Sequence, residues 1–194
     1  MSQTAYKFAG TVSDPSSRWA YEDNIKAEDD ACAEGKCPKQ QGYPLVLTNF
    51  GFSADDIPAG ATIDGIEFVI GRYSNLANEA FDSSLYLQYS GADVGSNMAS
   101  ATKWPANGVV EDVTYGGATN MCGTSLTRAN ILDSSFGIEI IPLKTASDST
   151  VVGFVDFIKI RVHYTVSTGK KDSFFPFFSA LFSFFSFSNL FFHG

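Results

Sequence analysis

The clearest pattern in the chain is Ile158-Lys159-Ile160-Arg161-Val162-His163-Tyr164, where apolar and polar residues exchange at every step. A period of two belongs to an extended segment and predicts an antiparallel strand with one buried and one solvated face. Runs of similar character occupy Tyr43 to Phe50, Ile63 to Arg72, Ser84 to Tyr89, Val109 to Tyr115 and Phe136 to Leu143. Each is rich in β-branched and aromatic residues and has the length of a strand. Between them stand Ile57-Pro58-Ala59-Gly60, Gly91-Ala92-Asp93 and Tyr115-Gly116-Gly117. Proline presets φ there and glycine permits positive φ, so these are turns. Asn49-Phe50-Gly51-Phe52 reads as a strand end with both phenylalanines packed inward. No long amphipathic helix precedes Thr168, although Thr127 to Leu132 predicts one short helical turn capped by Thr127. Two antiparallel sheets packed face to face are the simplest way to bury such strands, so the expected fold is an all-β sandwich.

The pattern changes near the C-terminus. Gly169-Lys170-Lys171-Asp172 forms a polar hinge, and Ser173 to Phe192 then runs 20 residues without a charge, holding 10 of the 18 phenylalanines. The organisation expected is a sandwich domain over 1–168 and a Phe-rich tail over 169–194, as a hydrophobic arm or helix. As a helix the uncharged run would be about 30 Å long, enough to cross a bilayer. Ser179, Ser183 and Ser186 would then form a small-residue seam, with Lys170 and Lys171 at the lipid interface. The preferred reading is fastening to other copies or other assembly subunits through Phe174, Phe175, Phe177, Phe178, Leu181, Phe182, Phe184, Phe185, Phe187, Leu190, Phe191 and Phe192, because the serines dilute the apolar character. A membrane anchor ranks second and disorder third.

Charge narrows the partners. A net charge of −8 and a pI near 4.6, without a dense Lys/Arg run, exclude a nucleic-acid surface. Met1 to Gly10 contains one lysine and no apolar run of the length a secretory signal requires, so nothing in it directs export. The acidic segment Glu22 to Glu34 reads as a solvated loop. Close together in a polar loop, Cys32 and Cys37 fit either a small disulfide staple or two free thiols, while Cys122 stands alone.

Catalytic constellations are hard to assemble. The two histidines, His163 on the polar side of the last strand and His193 beside the C-terminus, read as surface residues. The carboxylate doublets Asp29-Asp30, Asp55-Asp56 and Glu111-Asp112 read as solvated, because adjacent strand residues point apart. No catalytic residue and no cofactor is therefore assigned, with a structural calcium ion held by loop oxygens as a minor option. For sugar binding the candidates are Trp19 and Trp104, with Tyr86 and Tyr89, whose flat faces suit pyranose rings. The competing and preferred reading is that both tryptophans plug the ends of the sandwich.

An ordered series of motifs resembles a domain that recurs in tailed-phage virion proteins and bacterial surface proteins. It comprises Trp19 with Asp23-Asn24, then Leu45-Val46-Leu47-Thr48-Asn49-Phe50-Gly51-Phe52, Ile57-Pro58-Ala59-Gly60-Ala61-Thr62-Ile63-Asp64-Gly65-Ile66-Glu67, Trp104-Pro105, Tyr115-Gly116-Gly117, Ser135-Phe136-Gly137 and Val155-Asp156-Phe157-Ile158 to Tyr164-Thr165. The resemblance implies a jelly-roll-like sandwich serving in particle or surface architecture, on a virion or an extracellular surface, with no catalytic residues to carry over. The functional expectation is a non-enzymatic structural protein of such an assembly. The alternative is a membrane-tethered carbohydrate-binding or adhesion module. The Cys32 to Cys37 segment and the Phe-rich tail depart from the usual pattern.

Overall fold

The computed structural model describes residues 1–106, 108–145 and 148–167. Its first part contains β1 (Ser2–Gln3), β2 (Lys7–Phe8), β3 (Thr11–Ser13), β4 (Trp19–Ala20), a 3-10 turn (Glu22–Ile25) and β5 (Ala33–Lys36). Then follow β6 (Leu45–Thr48), β7 (Ala61–Ser74), β8 (Ala80–Tyr89), β9 (Ala92–Val94), β10 (Glu111–Gly116), α1 (Arg128–Leu132), β11 (Gly137–Lys144) and β12 (Val152–Val166). The first sheet runs β10-β7-β12-β5-β4, with β1 and β2 also paired to β12, and the second runs β3-β6-β11-β8-β9. All these pairings are antiparallel. The fold is the all-β sandwich that the alternating pattern predicts, with the jelly-roll-like form that the resemblance implies.

The core lies between the sheets. Ile66, Phe68 and Ile70 of β7 and Ile158, Ile160 and Val162 of β12 are fully buried from the first sheet. Leu45, Leu47, Leu85, Leu87, Ile138 and Ile140 meet them from the second. Each such side chain contributes about 1.5–3 kcal/mol on leaving water. The register of β12 against β7 shifts between Val155 and Phe157, leaving Asp156 as the extra residue. This bulge resets the alternation, so Val155 and Ile158 both face the core.

Phe50 and Phe52 pack inward on Phe136, with ring centroids 6.4 and 6.2 Å away. The turn after Ile57 is closed by the Ala61 amide donating to the Pro58 carbonyl at 3.2 Å. Thr127 caps α1 through a capping box with Asn130, as the residue types there predict.

Two local expectations are corrected. Glu22 to Glu34 is not wholly a solvated loop: Ile25 is fully buried and β5 lies inside the first sheet. Its small inward residues, Ala33 and Gly35, carry no hydrophobic signal strong enough to mark a strand. The polar face of β12 is also not simply wet, because the N-terminal strands pair beside it and Tyr6 lies over Arg161, 4.6 Å from the guanidinium carbon to the ring centroid.

Candidate functional site

The two tryptophans are walled in by glycine. Trp19 lies against Gly35, where an added Cβ would come within 2.7 Å of three ring carbons, and its indole N–H donates to the Tyr43 carbonyl at 3.2 Å. Trp104 is fully buried beside Gly153 and donates to Asp82 Oδ1 at 2.9 Å. Neither ring offers a face to a sugar, which corrects the sugar-binding option held for them beside the preferred buried reading. The glycines remove the side chains that would otherwise keep the rings out of the sandwich.

Asp82 is the centre of a buried polar network in which Arg72 Nε and Nη2 have no hydrogen-bond partner among the described residues. It pairs with Arg72, both side chains having no exposure, and accepts hydrogen bonds from Trp104, from the Tyr115 hydroxyl at 2.5 Å and from the Ser100 amide at 3.2 Å. The Arg72 guanidinium carbon lies 5.2 Å from the Trp104 ring centroid and 5.8 Å from that of Tyr115. Burial, and secondarily the Asp82 charge, pushes the Tyr115 hydroxyl far up. With no exposed atoms on the pair, the network serves the core and not a substrate.

A second cluster lies on the outer side of the first sheet. Glu67 accepts from the Tyr6 hydroxyl at 2.5 Å, pairs with Arg161 Nη2 at 2.7 Å and stands 3.3 Å from His163 Nε2. His163 is only 4% exposed, so its expected place at the surface is corrected; Glu67 and the N-terminal segment enclose it. Burial works to raise the Glu67 carboxyl, but the Tyr6 hydrogen bond, the Arg161 charge and the His163 contact outweigh it and hold the group below its ordinary range. Tyr6 is pushed up to about 12, by burial first and then by its bond to Glu67.

A carboxylate held low stabilises the fold above its ordinary value of 4.5, and that stability is lost as pH falls through the depressed folded value. The melting temperature is therefore expected to fall below about pH 4.5 in the native protein and to fall less in Glu67→Gln. Melting curves across this range check it, and superimposable pH profiles would remove Glu67 from the account.

All three cysteines are free. Cys32 and Cys37 flank the extended β5, so their Cα atoms are separated by about 16 Å at the usual rise per residue, far beyond disulfide reach. The staple is thus corrected: the polar residues between the cysteines form a strand and not a loop. Two of the carboxylate doublets have a member engaged locally. Asp56 pairs with Lys7 at 3.0 Å and caps Ser53, while Asp29 accepts from the Ala31 amide. Among the described residues no three His, Cys, Asp or Glu side chains converge as metal ligands, and no helix is long and apolar enough to cross a membrane. The tail residues from Phe174 to Phe192, and His193, lie outside the described residues.

One cluster outside the core joins an aromatic ring to hydrogen-bonding groups. Glu139 of β11 stands between Val46 of β6 and Tyr86 of β8, and Gly137 stands between Thr48 and Gln88. Since Ile138 and Ile140 belong to the core, Glu139, Tyr86 and Gln88 lie on the outer face of the second sheet. Tyr86 and Glu139 are half-buried, whereas Gln88 is only 5% exposed and its Nε2 donates to Asp93 on β9. Burial, and then the Asp93 charge, holds the Glu139 carboxyl above its ordinary range. Tyr89, the other tyrosine named from the sequence, packs against the core. Glu139 and Gln88 were missed; the available signal was the outward place of Glu139 in Gly137-Ile138-Glu139-Ile140-Ile141. Cross-strand distance brings the cluster together, not sequence proximity.

No protein-family model and no curated protein matches this chain. Among solved structures, the chain is similar to one described as "CBM4 structure and function", with 13% identity and a TM-score of 0.42, over 83% of this chain and 94% of that one. It is also similar to the CBM22-1 xylan-binding domain from Paenibacillus barcinonensis Xyn10C, with 12% identity and a TM-score of 0.35, over 81% of this chain and 85% of that one.

Proposed function

We propose that this protein is a non-catalytic β-sandwich module that binds a neutral carbohydrate chain on the outer face of its second sheet. The observation that carries the reading is the juxtaposition of the half-buried Tyr86 and Glu139 across β8 and β11. A half-buried aromatic ring supplies a flat apolar surface for a sugar, while the Glu139 carboxylate meets its hydroxyl groups. Strands hold these groups at fixed spacing, which limits the ordering that binding requires.

Titration with soluble glucans, xylans and mannans is expected to identify a ligand whose affinity falls about tenfold or more in Tyr86→Ala. That variant removes a half-buried ring outside the core and is expected to melt close to the native protein. Absence of binding across the panel, or equal affinity in Tyr86→Ala, would defeat the proposal.

A second reading rests on a different feature, the uncharged run from Ser173 to Phe192. It makes the chain a structural subunit of a virion or surface assembly, with the sandwich displayed and the tail inserted between neighbouring copies. Its mechanism is burial of apolar side chains at a subunit contact.

A further inference from the structure

Where β5 and β11 end, Lys36, Tyr43, Lys144 and Thr150 line a cleft of about 190 Å³. Cys37 and Val151, only 3% and 1% exposed, form its inner wall. No carboxylate lines the cleft, and among the described residues neither Lys36 nor Lys144 forms an ion pair. Lys144 Nζ donates to the Ser149 carbonyl, which uses one of its three N–H bonds. A third cation is near, since the Arg18 guanidinium carbon lies 5.5 Å from the Tyr43 ring centroid. Burial pushes the Cys37 thiol up to about 12, so this wall stays neutral at physiological pH. In a chain of net charge −8, the cleft is a local concentration of unpaired positive charge.

We infer that this cleft is a second ligand site, taking a carboxylate-bearing sugar ring such as a hexuronate of an acidic polysaccharide. Two ammonium groups suit a carboxylate through charge-assisted hydrogen bonds. Tyr43 provides apolar surface for the ring, and the Thr150 hydroxyl can donate to or accept from a sugar hydroxyl. The volume is about that of one pyranose ring. The sheet face around Glu139 and Asp93 is acidic and repels such a ligand, so the two sites select different sugars. The cleft does not depend on the sheet-face site.

The test is saturation-transfer NMR on the full-length protein with sodium glucuronate, glucose and acetate as probes. Glucuronate is expected to bind, with affinity falling about tenfold or more in Lys36→Gln/Lys144→Gln and remaining unchanged in Tyr86→Ala. Equal melting temperatures would show that the double variant is folded. Equal binding of glucose would discard the charge argument, and equal binding of acetate would discard the ring. Absence of glucuronate binding, or full binding by the double variant, would overturn the assignment, as would loss only in Tyr86→Ala.

Discussion

Replacing Asp82 by alanine is expected to destabilise the sandwich by about 3–5 kcal/mol, the usual consequence of leaving one member of a buried ion pair behind. Arg72 would keep its charge in a site without solvent, and the Trp104 indole, the Tyr115 hydroxyl and the Ser100 amide would lose their common acceptor. For a domain of this size the loss corresponds to a fall in melting temperature of about 6–20 °C. Asp82→Asn is expected to fall less, because the side chain keeps an oxygen acceptor. Arg72→Met combined with Asp82→Leu is expected to recover part of the loss, since an apolar pair needs no compensating charge. Thermal unfolding of the three variants checks the series. A melting point for Asp82→Ala within about 2 °C of the native value would show that the network is not integral to the core.

Ending the chain at Gly169 is expected to convert a self-associating protein into a monomer. Among the described residues the exposed large hydrophobics are Met1, Tyr21, Val109 and Val166, which are scattered in sequence. Scattered apolar residues do not drive association, and the net negative charge opposes it. The removed segment contains ten phenylalanines, each able to contribute about 1.5–3 kcal/mol when buried. Light scattering of full-length and shortened protein, without detergent, reads the difference. A defined oligomer that the truncation dissolves supports the fastening arm. Full-length protein soluble only in detergent or lipid supports an anchor instead, and two monomers of matching behaviour would sink both readings.

Much of the fold was legible because a half-buried strand must alternate. Ile158 to Val162 announces its own burial, and the turn at Pro58-Ala59-Gly60 is written in residues that tolerate its backbone. The site was less legible. Tyr86 could be named as an aromatic candidate, but its neighbour Glu139 lies 53 residues away and meets it only through strand register. Likewise Lys36 and Lys144 are remote in sequence, and only the closing of the two sheets brings them to one cleft.

The sequence alone determined that this chain forms an all-β core and carries a net charge of −8, because periodicity and net charge are properties of the chain itself. Tertiary structure decided the fate of individual polar and aromatic groups. Gly35 and Gly153 admit the tryptophans, Arg72 finds its carboxylate on the opposite sheet, and the N-terminal strands enclose His163. These outcomes depend on which surfaces face each other, and no local pattern encodes that pairing.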